Sequence, residues 1–592
     1  MDTSHPQLGA PSRRITNMRS KTTIALGVVA ALMTLLVVTG LFQNYSPIPF
    51  WDMWNGGLQF YLGHLQGDSA AWWRFHNEHQ NSLSKVLFLI DFELLGGRFY
   101  LLFLVNFLSA IGACYLFAMC AKRVCSEIDW AGGAVATGLV LSCWLLQWTQ
   151  YGNFAWEFQG VFFLVQLLPC AAIYLLATRQ EADRDWTTFA IPVLVGVLSW
   201  GTMANAVFTF PVLCLVAFRR SLGGARLGAL IGLSIAGAVL YGVGYSMSGE
   251  QIERSTAEFS IPSGLNYLFA YLGGPVKYLG ADPLAARIAG AIILCLATWR
   301  VAELLRPAKL SSVRLALDAM LLYLLMSGGL AALGRARYGF EQAFASRYQT
   351  PVLMIWAAVL LVHLPTLRRW FIGIRSARTE LAVQVLVLAG VVFLLHKQVP
   401  ASVEQQEMVH GREVAVLALE MKVRDTQAIG SIFAPEHYDL MLTLSEGAIH
   451  NGVGFAARPE AVARRARLGQ HRDVLAMPLC AMGSTRSKVF DGGVRVDGWL
   501  KADTPAKGIE YWPVVEGETI VGHVISGKSS PEAKRDFGRE FRKSGMAGYY
   551  KPAAGHADLY IVNESARCKL KISESPQARA KGDGASLSGD QS

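Results

Sequence analysis

From Thr22 to Leu395 the chain keeps returning to long uncharged apolar runs, the first of them, Thr22 to Phe42, about twenty residues long. No other feature restricts the fold as strongly. A run of that length crosses the hydrocarbon core of a bilayer as a helix, because in lipid the backbone must satisfy its own hydrogen bonds. Further spans are expected at Tyr100 to Cys120, Ala131 to Gln147, a return ending at Thr178, Leu227 to Tyr245, Leu284 to Thr298, Leu315 to Leu333, Val352 to Leu367 and Leu381 to Leu395. The stretch from Thr187 to Phe218 has Arg179 and Arg184 before it and Arg219 and Arg220 after it, so it reads as two short segments turning near Gly201 to Asn205. The total is about eleven spans, the mark of an α-helical polytopic membrane protein.

Composition agrees. Of 592 residues, 52% are hydrophobic and only 17% charged, and the mean hydropathy of +0.32 is too high for a soluble multidomain chain. The formal charge of +10 belongs with the Lys and Arg that accumulate in cytoplasmic loops. Basic and aromatic residues do not interleave as a nucleic-acid module requires, so no nucleic-acid partner is expected.

Arg13, Arg14, Arg19 and Lys21 precede the first span and put residues 1–21 in the cytoplasm as a tail. Ala121-Lys122-Arg123, the cluster Arg300, Arg306, Lys309 and Arg314, and the cluster Arg368, Arg369 and Arg375 mark the same side. Alternation then places Pro47 to Asn81, Tyr151 to Gln159, Ser260 to Gly280, Arg335 to Thr350 and everything after His396 outside, with an amphipathic piece at Leu83 to Leu95. A transmembrane domain is thus expected over 22–397 and an extracytoplasmic one over 398–575. The latter opens with helical text at Val403 to Val423 and turns β-rich from about 487, with strands in VRVDGWLKAD, GIEYWPVV, ETIVGHVI and DLYIVN. The tail 576–592, made of Ser, Gly, Ala and charge, reads as disordered. Seven cysteines lie in or beside apolar segments as small hydrophobes, whereas Cys480 and Cys568 flank the strand-rich part and are expected to pair in an oxidising compartment.

The loop Pro47 to Asn81 is long and polar where a short turn would have served. It carries Asp52 and the run His76-Asn77-Glu78-His79-Gln80, with Phe50, Trp51, Trp54, Trp72 and Trp73 expected to seat it at the headgroup level. The second outer loop adds Asn153, Glu157 and Gln159, and a later one adds Arg335, Arg337, Glu341, Arg347 and Tyr348. Ionisable side chains cost about 2.5–3.5 kcal/mol each at a bilayer centre, so these groups face water, protein or a cavity. Acids and arginines on one side offer a base and cations for a phosphate. HNEHQ does not match HExxH and is a weak zinc signal; hydrogen bonding to substrate suits His76, Glu78 and His79 better.

An aspartate just after span one, about eleven spans, a mid-chain break into short helices and a C-terminal outer domain together resemble the GT-C superfamily of polyprenyl-phosphate-sugar-dependent glycosyltransferases. The resemblance covers residues 20–400 and includes the segment Ala345-Ser346-Arg347-Tyr348. It implies an inverting transfer from a polyprenyl-phosphate-sugar donor to a glycan or lipid acceptor, at the outer face of a bacterial inner membrane, with the C-terminal domain periplasmic. Asp52 would then be the base, Arg347 with Arg335 or Arg337 would hold the phosphate, and Glu157 would be a second acidic residue helping a metal or the acceptor. Asp52 is followed by Met53 rather than by the second acid of the commoner pattern, which leaves the need for a divalent metal open. Two other classes would use similar groups: a glycan polymerase or ligase acting on a lipid diphosphate, and a lipid or sugar transporter, which is expected to carry ionisable residues in mid-span and repeated halves.

Overall fold

The computed structural model describes residues 13–183, 185–246, 260–373, 377–399, 406–480, 483–501, 508–553, 558–563 and 566–570. Arg184, Arg375 and the tail from Pro576 lie outside the described residues. The chain divides into two compact units, one formed by 1–45, 63–91 and 99–404, the other by 46–62, 92–98 and 405–592.

The first unit is helical. Among the described residues eight helices are long and apolar enough to cross a membrane: Lys21–Asn44, Tyr100–Glu127, Glu157–Thr178, Gly224–Val243, Pro283–Glu303, Ser312–Tyr338, Ser346–Trp370 and Leu381–Gln398. The run expected at Ala131 to Gln147 forms only the 15-residue helix Ala131–Leu145, about 22 Å long and short of a core about 30 Å thick. Two short helices, Trp186–Trp200 and Thr209–Arg219, lie either side of the expected turn at Gly201 to Asn205. Along the first helix Ile24, Val28, Leu32 and Leu35 recur every three to four residues and are all exposed, which is the lipid-facing stripe of a membrane helix. Its opposite face buries Leu26, Val29 and Met33 against Cys143 and Val391.

Residues Ser260 to Gly280, expected outside with no element assigned, form the helix Ile261–Tyr278. Its glycines disguised it. A Cβ at Gly273 would overlap the Ala286 carbonyl and one at Gly290 the Phe269 carbonyl, so glycine lets this helix and Pro283–Glu303 pack backbone to backbone. Arg300 donates to both carboxylate oxygens of buried Asp318, Nε at 3.2 Å and Nη2 at 2.8 Å, tying Pro283–Glu303 to Ser312–Arg335. The Arg300 and Asp318 charges are thus neutralised by a fork-shaped pair.

The second unit combines helices, including Gln406–Glu420, Tyr438–Asn451 and Pro459–Arg467, with a seven-stranded sheet of order β1-β2-β5-β4-β3-β6-β7. The strands are β1 (Gly483–Phe490), β2 (Gly493–Leu500), β3 (Tyr511–Glu516), β4 (Thr519–Lys528), β5 (Gly545–Tyr550), β6 (Leu559–Val562) and β7 (Arg567–Lys569), and all neighbours run antiparallel. Val496, Trp512, Val514, Val524, Met546 and Ile561 fill its core. Cys480 and Cys568 are disulfide-bonded with Cα atoms 5.1 Å apart.

This unit also takes in Ser46–Leu62 and Phe92–Arg98, which corrects the expectation that the early aromatic residues form one headgroup belt. Trp54 is fully buried with its ring 5.4 Å from Phe455, Trp51 lies 5.8 Å from Phe433, and the Arg412 guanidinium sits 4.1 Å over Phe50. These rings gain more from packing on protein than from a water–lipid boundary. Trp73 remains exposed.

Candidate functional site

In the first unit three separated segments meet. The first is the turn His76 to His79, closed by reciprocal backbone hydrogen bonds of 3.0 Å between His76 and His79 and reversed at Asn77 with φ 50°. Its approach is fixed in two ways. Asp68 accepts from Ala70 N at 3.0 Å and from Arg74 Nη2 at 3.0 Å. Buried Lys85 donates to the carbonyls of Ala71, Trp72 and Arg74 at 3.0, 3.1 and 2.6 Å. Burial, and then the Arg74 charge, push the Lys85 ammonium down to about 8.

The turn after Trp200 forms one wall. Gly201 sits so close to Leu83 that a Cβ would meet Leu83 N at 2.8 Å, and this approach lets Leu83 N donate to Gly201 O at 2.8 Å. Ala204 N–H then donates to His79 Nδ1 at 3.2 Å. That bond leaves the neutral ring's proton on Nε2, which lies 3.8 Å from Glu78 Oε1.

The second segment is Arg335 to Tyr348. Arg335 Nη2 lies 3.4 Å from Glu78 Oε1, with side chains 39% and 35% exposed, so the pair is loose and open to solvent. Burial pushes the Glu78 carboxyl up, but His79, Arg335, a backbone hydrogen bond and His76 together outweigh it and hold the group below the ordinary glutamate value. The Arg347 guanidinium lies 5.2 Å from the centroid of the Tyr348 ring. Gln342 Nε2 donates to Tyr348 Oη at 3.3 Å, while Tyr267 Oη donates to Gln342 Oε1 at 2.6 Å. Two cations, a phenol and a carboxylate are therefore gathered on the segments 76–79 and 335–348.

The third segment, Tyr151 to Gln159, expected as a short outer loop, is mostly buried from Asn153 on. Asn153 Nδ2 donates to Arg347 O at 2.9 Å and Thr350 Oγ1 at 2.8 Å, and Asn106 Nδ2 donates to Asn153 O at 3.0 Å and Trp156 O at 3.1 Å. Asn153 thus positions the Arg347 backbone. Glu157 is 1% exposed and Gln159 0%, on either side of Phe158, whose ring is 5.2 Å from His76. Neither Nε2 nor Oε1 of Gln159 finds a partner among the described residues.

The sequence-derived candidates therefore divide. His76, Glu78, His79, Arg335, Arg347 and Tyr348 come together, with Asn153, Glu157 and Gln159 behind them. Arg337 is exposed and donates to Tyr338 Oη at 2.7 Å. Asp52 belongs to the second unit, half-buried at the start of the π-helical turn Met53–Leu58. Tyr267 and Gln342 were missed. Tyr267 lay in the stretch with no element assigned, and its only signal was the Ser260 cap, which accepts from Ser263 N at 3.3 Å.

The cluster does not fit a divalent metal. Ala204 N–H takes His79 Nδ1, and among the described residues no three His, Cys, Asp or Glu side chains form a metal-binding group. No protein-family model matches the chain, and comparison with curated proteins and with solved structures gives no match.

Proposed function

We propose that this protein is a glycosyltransferase of a bacterial inner membrane, moving a sugar from a polyprenyl-phosphate carrier to an envelope glycan or lipid at the outer face. The observation that carries the reading is one segment that sets Arg335 against the open Glu78 carboxylate and Arg347 against the Tyr348 ring. Two guanidinium forks suit a phosphate, whose charge grows as the glycosidic bond breaks. The resemblance in span pattern and C-terminal domain adds the donor class.

In this reading Arg335 and Arg347 hold the donor phosphate and the Tyr348 phenol donates to one of its oxygens. The acceptor hydroxyl oxygen attacks the anomeric carbon, the bond from that carbon to the phosphate oxygen breaks, and polyprenyl phosphate leaves with the electron pair. Glu78, kept ionised by its cationic neighbours, takes the acceptor's proton. His79 Nε2–H and His76 orient sugar hydroxyls. Glu78 thus takes the role that the resemblance alone gives to Asp52.

Purified full-length protein, supplied with a labelled polyprenyl-phosphate sugar and acceptor, tests the assignment. Glu78→Gln is expected to lose transfer by a hundredfold or more while Asp52→Asn keeps it within a few-fold. The reverse pattern returns the base role to Asp52, and unchanged transfer in both variants removes carboxylate catalysis from the account.

A further inference from the structure

The second unit holds a cavity of ≈ 370 Å³, lined by Glu460, Ala463, Arg464, Arg467, Tyr511 and His523 among others. Its floor is made of groups that a protein seldom leaves unmet. Arg464 is 3% exposed and His523 2% exposed. Arg464 spends Nε and Nη2 on Glu420 Oε2, at 3.1 and 2.5 Å, and its guanidinium lies 4.4 Å over the Tyr511 ring, but its Nη1 has no hydrogen-bond partner among the described residues, and neither has His523 Nδ1. Buried polar atoms are almost always hydrogen-bonded, so two orphans at one cavity point to a ligand.

The charge around the floor has the same sense. Glu413 is filled by Arg458, whose Nη1 and Nη2 donate at 2.7 and 2.8 Å, and by the Tyr511 hydroxyl at 2.6 Å. Glu420 is shared by Arg464 and by Arg465 Nη1 at 2.9 Å. Two acids therefore answer three arginines, and the exposed rim adds one charge of each sign, Arg467 and Glu460. One positive charge is left over beside the orphaned guanidinium nitrogen. His523 supplies no countercharge: burial, and then the Arg464 and Arg467 charges, push its imidazole down to about 3 and leave it neutral. A neutral ring nitrogen suits a hydroxyl.

The volume is at the small end of the roughly 300–1,000 Å³ found for ligand pockets, and the lining mixes the Tyr511 ring, Pro459 and Ala463 with Arg464, Arg467, Glu460 and His523, which favours one sugar ring, with apolar faces and polar edges, over a polymer or an acyl chain. We propose that this cavity binds a monosaccharide carrying one oxyanion, a carboxylate or a phosphate, with the oxyanion on Arg464 Nη1 and Arg467 and a ring hydroxyl on His523. The site stands on second-unit residues alone and is independent of the transfer reaction.

Titration calorimetry on the full-length protein in detergent tests this with glucuronate, glucose 6-phosphate, neutral glucose and inorganic phosphate. Arg464 is too deeply paired to remove safely, so the variants are Arg467→Glu and Ala463→Trp, both at exposed positions. At least one charged sugar is expected to bind saturably and ten times more tightly than glucose. Arg467→Glu is expected to weaken that binding tenfold or more, and Ala463→Trp to abolish it by filling the cavity. The proposal is overturned if neither charged sugar binds, if glucose binds as tightly, or if both variants bind as the wild type does. Inorganic phosphate binding as tightly as glucose 6-phosphate would overturn the sugar and leave a bare anion site.

Discussion

Glu78–Arg335 and Glu413–Arg458 are the same pair of residue types put to opposite uses. In the first unit the contact is a single 3.4 Å approach between side chains more than a third exposed. In the second, Arg458 grips both oxygens of Glu413 at 2.7 and 2.8 Å, and the side chains are 14% and 4% exposed. A closed, fully satisfied pair holds a fold together and has nothing left to offer a ligand. A loose, wet pair contributes little to stability, and its groups remain available to exchange partners. The difference separates structure from function more reliably than the residues themselves do.

The comparison breaks most visibly at the closed pair. Removing one partner strands a buried charge, so Arg458→Ala is expected to cost about 3–5 kcal/mol and to expose the sheet of the second unit, measured by hydrogen exchange of peptides from β2 to β5 in the intact protein. Protection unchanged there would mean that the pair is not structural. At the open cluster the loss should be functional instead. Arg347→Ala is expected to reduce sugar transfer by about 10²–10³-fold, on the order of 2.7–4 kcal/mol of transition-state stabilisation, with the melting temperature little changed. A large fall in stability without a specific loss of transfer would invert the two roles.

Acid sharpens the contrast. Asp425 accepts from Arg495 Nη1 and Tyr549 Oη, each at 2.8 Å, and from Ala428 N at 3.1 Å. Burial raises its pKa, yet these hydrogen bonds and the Arg495 charge bring it below the ordinary aspartate value. A depressed folded pKa gives stability that is complete above the unfolded value of about 3.9 and is lost as pH falls through the lower folded one. Second-unit stability should therefore drop below about pH 4, and Asp425→Asn should lower the neutral plateau and flatten that slope. An unchanged slope would remove Asp425 from the acid response. The smallest effect belongs to Arg337, exposed and turned onto Tyr338. Arg337→Ala should stay within about 0.5 kcal/mol in stability and leave transfer within twofold.

Several of these groups could be read from the chain, and the reasons are physical. Apolar length announced the spans, and basic flanks announced the break at Gly201 to Asn205, whose glycine and Ala204 N–H now form a wall of the cluster. The concentration of Glu78, His79, Arg335 and Arg347 in connections rather than in spans marked them as candidates, because charge is costly in lipid. What could not be read was which protein surface covers an aromatic residue. Trp51 and Trp54 have the composition of a headgroup belt, and only tertiary packing against Phe433 and Phe455 shows otherwise. The same loop passes from one unit to the other near Leu62, so Asp52 and the histidines belong to different units without any punctuation in the sequence. Burial of YGNFAWEFQ was hidden likewise, since the partners that satisfy Asn153 are as distant in sequence as Thr350. Strands β1 and β5 escaped notice because GSTRSKVF is polar and GMAGYY glycine-rich, so neither shows the alternation of a half-buried strand.

The central claim is that two arginines of the first unit hold a lipid-linked phosphate, and direct binding tests it without depending on the acceptor. Native mass spectrometry of the purified protein with polyprenyl phosphate should show a bound lipid in the wild type. The Arg335→Ala, Arg347→Ala double variant should lose it by a hundredfold or more in affinity, while Arg337→Ala retains it. Equal retention of polyprenyl phosphate by the wild type and the double variant would contradict the account.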